Sequence, residues 1–89
     1  MPRIVFAPAI QRHVPSPARD VDASTVGAAL EFAFAALPAL RGYILDDQGQ
    51  LRRHLAIFVD GNAIHDRRRL SDPVGTTSEI YVVQALSGG

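Results

Sequence analysis

Two short apolar runs show the alternation of a half-buried strand. Leu55-Ala56-Ile57-Phe58-Val59 puts Leu55, Ile57 and Val59 on one face and Ala56 and Phe58 on the other, and the Asp60-Gly61 behind it suits a tight reversal. Glu79-Ile80-Tyr81-Val82-Val83-Gln84 sets Ile80 and Val82 against Tyr81 and Val83. Ile4 to Ala7 is a third strand-forming run, closed by Pro8, which has no N–H to give to a ladder. Ala18 to Ala23 alternates weakly around Val21, behind the breaks at Pro15 and Pro17, and predicts a second strand that completes an N-terminal hairpin.

Between these runs the period changes. Val26, Leu30, Ala33, Phe34 and Leu37 recur at intervals of three and four, which predicts a helix over Thr25 to Leu37 with Ser24 as N-cap and Pro38 as its stop. Leu40 to Leu45 is apolar with a break at Gly42, and Asp46-Asp47-Gln48-Gly49 is a turn by composition. The polar stretch 62–77 has Ile64, Leu70 and Val74 as its anchors. Strand, strand, helix, strand, strand is the order of an α+β domain whose sheet is covered on one side by one main helix.

Composition narrows the function. With 89 residues the chain has material for one core, so a single domain over 1–89 is expected, with a flexible tail at 85–89. Nine basic and nine acidic residues cancel, leaving no source for the phosphate attraction that drives nucleic-acid binding. No cysteine is present, which removes disulfides, thiolate nucleophiles and thiolate metal sites together. His13, His54 and His65 show no ligand spacing, so no metal is expected. No nucleophile elbow accompanies the available Ser, His and Asp residues, so no intrinsic catalytic residue is assigned. Neither a signal peptide nor a membrane-spanning run is legible, and a cytoplasmic location without membrane contact is the expectation.

The chemistry sits after the last strand, in Ala85-Leu86-Ser87-Gly88-Gly89. Two glycines without side chains can be threaded through a channel too narrow for other residues. At an average glycine usage of about 7%, a Gly-Gly pair at this place arises by chance roughly once in two hundred sequences. The Gly89 carboxylate is a poor electrophile and must be activated by another protein. Attack on the α-phosphate of ATP gives an acyl-adenylate, from which sulfide or a persulfide displaces AMP to leave a thiocarboxylate, and an amine or thiol gives an amide or thioester.

Ser24-Thr25-Val26-Gly27-Ala28-Ala29-Leu30, Leu37-Pro38-Ala39-Leu40, Phe58-Val59-Asp60-Gly61-Asn62, Leu70-Ser71-Asp72-Pro73-Val74 and the run from Glu79 to Gly89 together resemble the MoaD/ThiS family of sulfur-carrier proteins. That resemblance implies a ubiquitin-like β-grasp, with a mixed sheet of four to five strands. It implies adenylation and thiocarboxylation at Gly89 by an ATP-dependent, ubiquitin-activating-type enzyme, with Leu86, Ser87 and Gly88 threading into its channel. No cofactor is held stably; ATP belongs to the activating enzyme. The second partner is a sulfur-accepting synthase subunit, as in molybdopterin synthase, or an acceptor in thiamine, cysteine or other metabolite synthesis. The insert from Leu45 to His54 is closer to the molybdopterin or cysteine-type members. If the two clearest strands are neighbours, Phe58, Tyr81 and Val83 form an exposed apolar patch for partner docking. Arg67-Arg68-Arg69 departs from the less basic sequence of relatives and reads as a solvated loop. Two alternatives share the fold: a protein modifier conjugated through Gly89, and an interaction module for which the tail is incidental.

Overall fold

The computed structural model describes residues 1–85. In chain order they form β1 (Arg3–Phe6), α1 (Pro8–Gln11), β2 (Arg19–Asp20), α2 (Val26–Ala36), α3 (Pro38–Ile44), β3 (Leu55–Val59), β4 (Asn62–Ala63) and β5 (Glu79–Gln84). The five strands make one mixed sheet in the order β2-β1-β5-β3-β4. β5 pairs parallel with β1 and antiparallel with β3, so the last strand of the sequence is the middle strand of the sheet.

One face of the sheet supplies Ile4, Phe6, Leu55, Ile57, Ile80 and Val82 to the core, all almost fully buried. α2 covers that face with Val26, Leu30, Ala33 and Phe34 of its three-and-four period and with Ala29, while Leu37 is the half-buried C-cap. At ~25 cal/mol per Å² of apolar area removed from water, this shared layer is the main favourable term in folding. Among the described residues no helix is long and apolar enough to cross a membrane.

Several local expectations are corrected. The N-cap of α2 is Thr25, not Ser24: the Thr25 hydroxyl accepts from the Ala28 N–H at 3.1 Å, while the Ser24 carbonyl is taken by the Val74 N–H at 2.9 Å. Pro38 does end α2, but it also opens α3, because a proline in a first turn loses no hydrogen bond. Leu40 and Ile44 then reach the core one helical turn apart, and Gly42 between them faces open space. The N-terminal pairing exists, yet β2 has two residues, not the run from Ala18 to Ala23, and α1 lies between the partners.

The Asp60-Gly61 reversal is as read. Both residues have positive φ, 50° and 85°, the conformation of a two-residue turn whose twist matches the strands it joins. Asp60 also fastens that turn to the start of β5, since its carboxylate accepts from the Glu79 N–H and its own N–H donates to the Glu79 carbonyl, both at 2.9 Å.

Candidate functional site

The register of β3 and β5 runs from Val59 opposite Ile80 to Leu55 opposite Gln84. One residue further, the Ala85 N–H donates to the His54 carbonyl at 2.7 Å. Ala85, the last described residue, is therefore held at the end of the central strand. Leu86, Ser87, Gly88 and Gly89, the residues assigned to threading and activation, lie outside the described residues.

Around this point the fold gathers side chains that no local pattern joins. Tyr43 of α3 is stacked by His13 at 5.1 Å between ring centroids, with 27° between planes, and meets His54 edge-on at 6.2 Å. Arg67 reaches in from its loop and donates from one terminal nitrogen to the carbonyls of Arg52, at 3.0 Å, and Leu55, at 2.8 Å. Among the described residues no group of three or more His, Cys, Asp or Glu side chains is placed to hold a metal ion.

On the sheet face turned away from α2, Phe58 is the direct register partner of Tyr81, and Val83 sits opposite Ala56. Tyr81 is 38% exposed, and Phe58 and Val83 are half-buried. The three residues read as a patch are thus brought together on one open face. The stripe is wider than expected: Val5 is the parallel partner of Tyr81, and Ala63 pairs with Phe58. Val5 alternates with the buried Ile4 and Phe6, so its outward direction was legible in the sequence once β1 was known to neighbour β5. Arg3 opposite Glu79 gives this stripe a charged border at the start of β5.

The loop that carries Arg67 is organised by two carboxylates. Asp66 accepts from the Ser71 hydroxyl at 2.5 Å and from the N–H groups of Arg69, at 2.9 Å, and Arg68, at 3.1 Å. These bonds, led by that of Ser71, lower its pKa to about 2. Asp72 accepts from the N–H groups of His65 and Asp66, which holds its carboxyl below the usual carboxylate range. The same loop is closed against the start of α2, where the Gly27 N–H donates to the Leu70 carbonyl at 2.8 Å. A Cβ on Gly27 would lie 3.2 Å from that carbonyl oxygen, which is why the position suits glycine.

No protein-family model matches the chain, and no curated protein matches it by sequence. Solved structures do. SAMP1 from Haloferax volcanii is 26% identical over 99% of this chain and 98% of its own, with a TM-score of 0.77. CysO of Mycobacterium tuberculosis superposes with a TM-score of 0.81 at 15% identity, over 97% of this chain and all of its own. This chain has the ubiquitin-like β-grasp fold. A third β-grasp structure, the BexX/CysO complex of Amycolatopsis orientalis, covers 100% of both chains with a TM-score of 0.83 at 12% identity. The β-grasp places β5 at the centre of the sheet, and so brings the open stripe and Ala85 to one strand.

Proposed function

We propose that the protein is a ubiquitin-like carrier whose reacting group is the Gly89 carboxylate. The observation that carries this reading is the continuation of β5 through Ala85, which is pinned to His54 beside the open stripe of Phe58, Tyr81 and Val83. A rigid sheet presents the root of the tail, and an apolar surface on the same strand gives a partner something to hold. A carboxylate oxygen of Gly89 attacks the α-phosphorus of ATP, and the bond to the β-phosphate oxygen breaks to release pyrophosphate. Sulfide then attacks the acyl carbon, and the carbon–oxygen bond to AMP breaks. The product is a thiocarboxylate, whose sulfur passes to an acceptor bound by a synthase subunit. The adenylating centre and the acceptor belong to those partners, and this chain is substrate and carrier.

A second reading has a specific observation behind it. The H. volcanii SAMP1 that this chain resembles is a small archaeal modifier protein. For a modifier the first step is the same, and the acyl group ends on a lysine amine instead of sulfur. ATP–pyrophosphate exchange by an adenylating enzyme of the ubiquitin-activating type tests the step both readings share. Exchange should appear on adding the chain and vanish when Gly88 and Gly89 are deleted. Exchange indifferent to that deletion would leave only the interaction module. Conjugates of higher mass that depend on Gly89 would choose the modifier.

A further inference from the structure

The geometry points to Arg67 as a latch that positions the root of the tail for insertion into the activating enzyme, an assignment that rests on the carrier reading above.

Arg52 to Leu55 is a turn, closed by the Leu55 N–H donating to the Arg52 carbonyl at 3.1 Å. His54 lies within it, and its carbonyl is the one that receives Ala85. The Arg67 guanidinium bonds the carbonyls at the two ends of this turn, those of Arg52 and Leu55. The His54 carbonyl and the Leu55 N–H belong to one planar peptide, so the bond from Leu55 to Arg52 aims the carbonyl that receives Ala85, and Arg67 holds both ends of that turn. A charged donor suits this task, because its bonds to carbonyl oxygen are about twice as strong as neutral ones.

Arg67 is tied to the turn through its backbone as well. Its carbonyl accepts from the Leu51 N–H at 3.2 Å, so the loop and the turn are joined through backbone as well as side chain. The preceding Asp66 gathers the N–H groups of Arg68 and Arg69. The far side of the turn is anchored to α3, where the Arg52 N–H donates to the Ile44 carbonyl and the Arg52 guanidinium to that of Gly42. Of the three consecutive arginines, Arg67 is thus the one whose guanidinium is given to the backbone beside the tail.

The residues from Leu86 to Gly89 can reach at most ~14 Å from Ala85 at ~3.5 Å each. Over so short a lever the direction of the root decides whether the carboxylate arrives at a reacting phosphorus, and an error of ~1 Å at a reacting centre is costly. Loss of the latch should therefore weaken productive insertion and leave the chemistry of inserted chains unchanged.

Arg67→Ala and Arg67→Lys test this in the full chain by amide hydrogen exchange and by adenylation kinetics. In Arg67→Ala, exchange at Ala85 should rise about tenfold while Val82, in the middle of β5, is unmoved, and the KM for adenylation should rise about as much with kcat unchanged. Arg67→Lys, which keeps the charge without the planar fork, should recover part of both effects. Ala85 exchange that stays at its original rate, or rises only in step with Val82, overturns the latch. So does a KM that ignores a loosened Ala85. Unmodified protein that is never adenylated sinks the carrier reading instead, and the exchange at Ala85 still decides the latch.

Discussion

Phe58 on β3 and Tyr81 on β5 stand directly opposite each other on the sheet face that α2 does not cover. A cross-strand aromatic pair contributes only about 0.2–1 kcal/mol to the fold, whereas buried aromatic anchors at interfaces contribute about 2 kcal/mol or more to binding. Charge placed here should thus harm docking more than folding. Phe58→Glu and Tyr81→Glu are each expected to raise the KM for adenylation about thirtyfold or more, with a stability loss near 1 kcal/mol. Phe32, 41% exposed on α2, is the control, and Phe32→Ala should leave the kinetics unchanged. Equal effects at all three positions would contradict a docking role for the stripe.

The cap of α2 provides a check on local structure. Thr25→Ala removes the oxygen that the Ala28 N–H uses and should cost about 1 kcal/mol in chemical denaturation. Ser24→Ala should cost under about 0.5 kcal/mol, since Ser24 is exposed and contributes its carbonyl, which alanine retains. The reverse order of the two would return the cap to Ser24.

The Asp66 loop sets an acid limb in stability. Its pKa is about 2 in the folded protein, against about 3.9 in an unfolded chain. A depressed carboxyl stabilises the fold fully above the unfolded value, and that contribution fades as pH falls from about 4 towards 2. Asp72, lowered as well, acts in the same direction. Denaturation midpoints measured across this window should fall for the natural chain, and Asp66→Asn should be less stable near neutrality with a shallower acid decline. Parallel pH curves for the two proteins would show that Asp66 has no part in it.

Much of the fold was legible because burial writes itself into period. β3 and β5 alternate cleanly, and β5 has the bounds that alternation gives, from Glu79 to Gln84. α3 was hidden by Pro38 and Gly42, both poor helix signals, although one opens the helix and the other sits on its solvent side. β2 was signalled only by the weak alternation around Val21, which gave no reason to end it at two residues, Arg19–Asp20, paired with β1. At the site, the patch of Phe58, Tyr81 and Val83 followed from alternation plus strand adjacency, and Val5 escaped because its adjacency is a parallel crossover from the far end of the chain. Arg67 read as one of three solvated arginines. Its role depends on two carbonyls 12 and 15 positions away, and carbonyls leave no trace in a sequence.

The most direct measurement is the intact mass of the protein after incubation with ATP, a ubiquitin-activating-type adenylating enzyme and a sulfide source. A gain equal to the exchange of one oxygen for sulfur is expected, located by fragmentation at Gly89 and absent when Gly89 is deleted. An unchanged mass, in the presence of an enzyme shown to adenylate this chain, would contradict it.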